Sequence, residues 1–271
     1  MAPADSMAPA DSMAPADTSY LDRIEQTLAD VTTVLDTDAQ VEKQLAVTVV
    51  IPTYNEHETL REVVAKVRAV GLHYEIIIVD DGSTDGSWEV LRELAELKDV
   101  QVILHDVNCG KGAALRSGFQ FARGEVILVQ DADLEYDPAD YGRMLAPLQS
   151  GTADAVYGSR FGGNPQQDPS WLHRFGNRIL TKLSNYTTGQ QLTDMETCYK
   201  VFRRELLDRM MLSQNRFGFE PELTAKLARR AARIVEVPIR YRGRGYHEGK
   251  KIGWRDGVNT LYCIFRYAWF D

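Results

Sequence analysis

Four short runs rich in Val and Ile, at 47–51, 75–79, 100–104 and 125–130, constrain the fold of this chain more than any other feature. Each is too short for a buried helix and has the β-branched content of a buried strand. Between the first three, Leu60, Val63, Val64, Val67 and Val70 mark one helical stripe, and Trp88, Leu91, Leu94 and Ala95 mark a second. Alternating strand and helix predict an α/β fold, with a mostly parallel central sheet and helices on both faces. Ligands of such sheets bind beyond the carboxyl ends of the strands, so function is sought in the residues that follow each run.

The rest of the chain frames this region. The first 18 residues are three copies of a six-residue unit, MAPADS, MAPADS and MAPADT, whose prolines block helix propagation and predict a disordered tail. Ser19 can cap a helix that places Leu21, Ile24, Leu28, Val31 and Leu35 on one face. The expected division is therefore a tail at 1–18, a helix and linker at 19–45, a catalytic domain at 46–245, and a basic loop with an amphipathic helix at 246–271. With 271 residues, 44% hydrophobic and 26% charged, the chain can bury a sizeable core. A net charge of −8 argues against a nucleic-acid partner, which needs a basic surface. Cys109, Cys198 and Cys263 show no CxxC pairing, so neither a zinc cage nor a disulfide framework is indicated. His105, His173 and His247 form no i, i+4 ligand pair and read as structural or surface residues. Neither a signal peptide nor a spanning helix is visible, and a cytoplasmic protein is expected.

Three strand ends carry acids. Pro52-Thr53-Tyr54-Asn55-Glu56 follows the first, Asp80-Asp81-Gly82-Ser83-Thr84-Asp85 the second, and Asp131-Ala132-Asp133-Leu134-Glu135 the fourth. Asn55 and Asp85 could each be a helix cap and nothing more. Five or more acids on one edge would repel one another unless a cation or hydrogen-bond donors gathered there. Asp131 and Asp133 are the sharpest signal, because two acids one residue apart behind a buried strand can address one hard cation, Mg²⁺ or Mn²⁺, together with substrate phosphates. A GxxxxGK[ST] loop is lacking, and Gly110-Lys111-Gly112 does not complete a GxGxxG fingerprint, since Leu115 stands at the third glycine position.

Taken in order, Val50-Ile51-Pro52-Thr53-Tyr54-Asn55-Glu56, Val79-Asp80-Asp81-Gly82-Ser83, Asn108-Cys109-Gly110-Lys111-Gly112 and Asp131-Ala132-Asp133 resemble family 2 glycosyltransferases of the GT-A fold. Gly158-Ser159-Arg160-Phe161, Asp194-Met195-Glu196-Thr197-Cys198-Tyr199-Lys200 and the basic segment around Lys250 are most similar to the dolichyl-phosphate and polyprenyl-phosphate hexosyltransferases within it. The resemblance implies that Pro52, Tyr54 and Glu56 lie around the nucleotide, that Asp80 or Asp81 holds the base or ribose, and that Lys111 and the Ala132 backbone lie near the nucleotide sugar. It implies that Asp131 and Asp133, with Glu135 where that branch often carries Gln, take the metal and diphosphate. Arg160, Arg244 and Lys250 would hold the acceptor phosphate, and Asp194 would position Arg or substrate. The chemistry agrees: cleaving a sugar–phosphate bond builds charge on the departing diphosphate, which a divalent ion acting as Lewis acid stabilises. A lipid phosphate is already ionised near neutral pH and needs no base to strip a proton.

The segment 229–256 holds nine basic residues against Glu236, Glu248 and Asp256. Arg229, Arg230 and Arg233 could be a solvated helix face, whereas Arg244, Lys250 and Lys251 lie in a Gly-rich stretch suited to closing over an anion. Trp254, Val258, Leu261, Tyr262, Phe265, Trp269 and Phe270 form an amphipathic segment that either lies in a headgroup layer or packs on the catalytic domain. The reading is an inverting, metal-dependent transfer of mannose or glucose from GDP-mannose or UDP-glucose to a polyprenyl phosphate. It places the protein peripherally at the inner face of a membrane and is compatible with a homo-oligomer. Its rivals are the same chemistry on a soluble acceptor, such as a polysaccharide or phosphorylated metabolite, and a non-catalytic scaffold that keeps the fold.

Overall fold

The computed structural model describes residues 45–161, 171–208, 210–243 and 254–270, without the side chains of 171–173 and 254–256. Among these residues seven strands form one sheet: β1 (Val47–Thr53), β2 (Glu75–Asp80), β3 (Val100–Leu104), β4 (Val126–Val129), β5 (Ala155–Ser159), β6 (Lys200–Arg203) and β7 (Ile234–Pro238). Their order is β3-β2-β1-β4-β6-β5-β7. Neighbours pair in parallel except at β6, which runs antiparallel to both β4 and β5. The mostly parallel sheet expected from the sequence is thus present, with one reversed strand drawn from the segment after Cys198.

Among the described residues seven helices cover the sheet: α1 (Leu60–Val70), α2 (Ser87–Ala95), α3 (Lys111–Phe121), α4 (Tyr141–Gln149), α5 (Trp171–Thr188), α6 (Phe219–Arg229) and α7 (Trp254–Trp269). Two cores explain why the central strands are apolar on both faces. Val49, Ile51, Ile76 and Ile78 point to one core, with α1, α2 and α4. Val50, Ile77, Val79, Ile127 and Val129 point to the other, with α3, α6 and Ile264 of α7. Strand period 2 thus distributes one Val/Ile run between two layers.

Two expectations are corrected. The buried stripe of α2 is Ser87, Val90, Leu91 and Leu94, whereas Trp88 is 55% exposed and Ala95 faces solvent. Trp88 lies one position ahead of the stripe and stacks instead with Arg92, whose guanidinium carbon is 5.5 Å from its ring. The fourth strand is shorter than 125–130, spanning Val126–Val129, and just past it the Gln130 side chain donates to the Asp131 carbonyl and accepts from Tyr141 and Tyr199.

The chain steps from β1 outward to β2 and β3, then returns to place β4 on the other side of β1. That reversal opens a crevice at the carboxyl ends of β1 and β4, where a ligand-binding cleft belongs. The tail at 1–18, the helix and linker expected at 19–45 except Leu45, and the Gly-rich loop from Arg244 through Lys250 and Lys251 lie outside the described residues.

Candidate active site

Three strand ends meet at this edge. After β1, the Asn55 amide donates to Ser83 Oγ at 2.9 Å, while Asn55 Oδ1 accepts from the Thr84 amide at 2.8 Å. Asp85 accepts from the amides of His57 and Ser87. Asn55 and Asp85 therefore lock the loop after β1 to the loop after β2; Asp85 also accepts from the first residue of α2. Pro52, Tyr54 and Glu56 are half-buried along this junction.

Asp80 and Asp81, both buried, have different partners. Asp80 accepts from the amide and hydroxyl of Ser83. Asp81 reaches across to the loop after β3, accepting from the amides of Cys109 at 2.9 Å and Gly110 at 2.7 Å, and lying 2.8 Å from His105 Nδ1. Hydrogen-bond donors gather at both of these acids, as their mutual repulsion requires.

The glycines of the Gly110-Lys111-Gly112 motif serve close approach. Gly110 has φ of 99°, and a Cβ there or at Gly112 would collide with backbone of 214–216. That contact lets the Ala113 amide donate to the Asn215 carbonyl at 3.1 Å, and Arg116 donates to Asn215 Oδ1 at 2.7 Å. The same segment leads into α6, so the glycines bring Lys111 against the first turn of that helix. Lys111 Nζ lies 2.8 Å from Asp131 Oδ1, 3.7 Å from Glu220 Oε1 and 2.8 Å from Cys198 Sγ. Burial pushes this ammonium down, but Asp131 and Glu220 outweigh it and hold its pKa well above the ordinary lysine range.

Asp131, Ala132, Asp133 and Glu135 follow β4 as expected, with Leu134 held at a φ of 61°. Asp131 turns toward Lys111, Asp133 accepts from the Glu135 amide at 3.2 Å, and Glu135 accepts from Tyr241 Oη at 2.7 Å. Two half-buried carboxylates one residue apart in the chain suit a hard cation that would draw its other ligands from diphosphate and water. The donor set fits Mg²⁺ or Mn²⁺ in that mode.

On the far side of the crevice, Arg160 and Asp194 form a bidentate pair, Nε to Oδ2 and Nη2 to Oδ1, each at 2.7 Å. The Arg160 amide adds a third bond to Asp194 and Asn177 a fourth. Asp194 is fully buried; burial pushes its carboxyl up, but Arg160 more than offsets this and keeps it below its ordinary value. Asp194 is thus an ionised anchor that aims Arg160, whose guanidinium carbon sits 5.2 Å from the Tyr241 ring.

Residues 48–211 match the family model for glycosyl transferase family 2. The chain belongs to glycosyl transferase family 2. Among its relatives is the undecaprenyl-phosphate 4-deoxy-4-formamido-L-arabinose transferase of Edwardsiella ictaluri (strain 93-146), 33% identical over 226 residues. That match covers 80% of this chain and 66% of the relative's own length. Among solved structures, glucosyl-3-phosphoglycerate synthase from Mycobacterium tuberculosis, in complex with Mn²⁺, UDP and phosphoglyceric acid, superposes with a TM-score of 0.65 at 20% identity, covering 84% of this chain and 80% of that one. Mannosyl-3-phosphoglycerate synthase from Rubrobacter xylanophilus gives a TM-score of 0.63 at 20% identity, covering 82% and 72%. These likenesses establish the GT-A fold.

In this family 2 member the crevice holds acids outside the sequence-based set. Glu196 and Glu220 each keep one carboxylate oxygen sealed from solvent and without a hydrogen bond. Burial first, and Glu220 second, push the Glu196 carboxyl up to about 8. Lys200 lies in the same pocket, fully buried, donating to the Met195 carbonyl at 2.9 Å with its ammonium 4.6 Å from the Tyr157 ring. Glu220 had a legible signal, since it is a charged residue on the wholly buried stretch of α6, between Phe219 and Leu223. Glu196 had none beyond its place in the 194–200 motif.

Two arginines of the described part of the basic segment are paired with acids. Arg233 forks onto Asp154, and Arg240 onto Asp140.

Proposed function

We propose that this chain transfers a hexose, mannose or glucose, from a nucleoside diphosphate sugar to a polyprenyl phosphate, with inversion at the sugar carbon. The observation that carries the reading is the gathering of Asp80 and Asp81 after β2, Asp131 and Asp133 after β4, and Lys111 and Glu220 beneath them, along one crevice. Asp80 or Asp81 engages the base or ribose through acceptor oxygens, along the junction lined by Pro52, Tyr54 and Glu56. Lys111 counters charge near the diphosphate, and the buried acids Glu196 and Glu220 offer acceptors to sugar hydroxyls. Asp131 and Asp133 hold Mg²⁺ or Mn²⁺, which supplies charge neutralisation at the departing diphosphate. Arg160, aimed by Asp194, receives the acceptor phosphate together with Arg244 and Lys250. Because that phosphate enters as an anion, the reaction needs no general base at Asp194.

Membrane contact is assigned to the outer face of α7. Val258, Leu261, Tyr262, Trp269 and Phe270 are exposed there, while Thr260, Cys263, Ile264 and Tyr267 face the protein. Aromatic side chains turned outward on an amphipathic helix fit a headgroup layer. Among the described residues, no helix is long and apolar enough to cross a membrane, in keeping with peripheral attachment at the inner face. The catalytic domain is taken as 46–245, with 246–271 serving acceptor and membrane.

The family 2 relative named for undecaprenyl phosphate supports the acceptor class. The structural neighbours named for phosphoglycerate favour the rival, a soluble phosphorylated acceptor, only at the level of fold. The reading is tested with Asp133→Ala. Transfer should fall at least about 100-fold, the scale on which lost charge stabilisation acts, and chelation should do the same to the unsubstituted protein until Mn²⁺ is restored. The melting temperature of the variant should be unchanged or raised, since two repelling acids become one. Transfer at an undiminished rate in either arm would remove the metal assignment.

A further inference from the structure

We propose that Asp81, His105 and Cys109 form a site for one thiophilic divalent cation of the zinc class, separate from Asp131 and Asp133, and that its occupation excludes nucleotide from this edge of the sheet. One ligand atom from each residue lies within 4.8 Å of the other two. Among the described residues this is the one set of three His, Cys, Asp or Glu side chains gathered so closely. Tetrahedral zinc, with bonds of about 2.0–2.3 Å, holds its ligands roughly 3.3–3.6 Å apart. Closing the set therefore takes about 1 Å of movement, which the exposed Cys109 can supply. Its thiol makes only a 3.4 Å contact with the Val107 carbonyl.

The other two ligands are already fixed. Asp81, 2% exposed, is held by the Cys109 and Gly110 amides. His105 Nδ1 faces Asp81, and its Nε2 lies 2.9 Å from Ser117 Oγ. That second contact matters, because a metal-binding imidazole needs a partner for its other nitrogen to set tautomer and ring orientation. An ionised Asp81 can only accept, which assigns the ring proton to Nδ1 in the metal-free protein. On binding, that proton transfers to Nε2, where Ser117 Oγ accepts it, and the cation takes its place between Nδ1 and the carboxylate. The Cys109 thiol loses its proton to solvent, so one proton is released per cation bound. Protein ligands number three, leaving an open position for water.

Ligand chemistry separates this site from the pair after β4. Sulfur, imidazole and one carboxylate select Zn²⁺ or Co²⁺, whereas two carboxylates with phosphate select Mg²⁺ or Mn²⁺. No linear spacing announces it, since Asp81 lies on a different strand end from the loop that carries His105 and Cys109. The predicted exclusion of nucleotide rests on the reading of Asp80 and Asp81 given above. A cation there would occupy the acceptor oxygens and shift the loop that immediately precedes Lys111.

The full chain, stripped with chelator, is titrated with CoCl₂ while the near-ultraviolet thiolate-to-cobalt absorption is followed, and the cobalt is then displaced with ZnCl₂. One equivalent should bind with the band present; Cys109→Ser should abolish the band and weaken Zn²⁺ at least tenfold, and Ser117→Ala should weaken it several-fold. No band, or a band that survives in Cys109→Ser, would overturn the site, because the thiolate would then be absent or another. Binding of UDP and GDP is measured in parallel. Zn²⁺ should weaken it at least tenfold in the unsubstituted protein and not in Cys109→Ser. A band with nucleotide affinity unmoved would leave the cation site standing and overturn the exclusion, and with it the placement of nucleotide on Asp81.

Discussion

Charge pairing in a dry setting decides what individual residues do in this protein. Asp194 and Arg160 each bury a full charge that the other answers with two parallel hydrogen bonds, and removing one partner of such a pair costs about 3–5 kcal/mol. Asp194→Ala should lose stability on that scale in denaturant unfolding and lose transfer with it. A loss below about 1 kcal/mol would contradict the buried pair. Glu196 behaves in the opposite sense. Its carboxyl is pushed up to about 8 from an ordinary 4.5, so its contribution to stability is fully present below about pH 4.5 and lost as pH rises through about 8. Glu196→Gln has no proton to lose, and its melting temperature should gain on the unsubstituted protein by several degrees between about pH 5 and pH 8.5. A difference independent of pH would show that Glu196 is ionised throughout. Asp131 and Asp133 were legible in the sequence because strand and motif coincide. Glu196 was not, because the partner that crowds it, Glu220, is brought to it by α6 from more than twenty residues away.

The elements were legible where period and burial agree, as in the Val/Ile strands and the stripe of α1. The α2 stripe shows the limit: Leu91 and Leu94 fix the buried face, but Trp88 falls beside it and is held outside by Arg92. Helix α7 presents the same problem with another outcome. Tyr262 and Trp269, with Phe270 just past its end, lie on the outer face, while Cys263, Ile264 and Tyr267 face inward on a helix that meets α5 and α6. Aromatic content alone does not say which face turns inward, since Tyr267 is buried and Tyr262 is exposed. The triple variant Tyr262→Ala, Trp269→Ala, Phe270→Ala should therefore reduce sedimentation with anionic liposomes at least tenfold, while near-ultraviolet circular dichroism reports an intact core. Sedimentation equal to that of the unsubstituted protein would assign the face to something other than lipid.

At the scale of the molecule, the strand order carries the function. The switch in strand order between β1 and β4 opens the crevice, parallel pairing brings three acidic strand ends to its rim, and the segment 194–200 leads beneath them into the reversed β6. The reversal of β6 was not legible, since its four residues, Lys200–Arg203, give too short a pattern to set direction. The central claim is transfer to a lipid phosphate. It is tested most directly by incubating the full chain with radiolabelled UDP-glucose or GDP-mannose, polyprenyl phosphate and Mn²⁺, then extracting with organic solvent. The account predicts label in the organic phase with one of the two donors, dependent on added lipid. Label that stays aqueous with both donors, from protein that still binds nucleotide and turns over on a soluble phosphorylated acceptor, would contradict it.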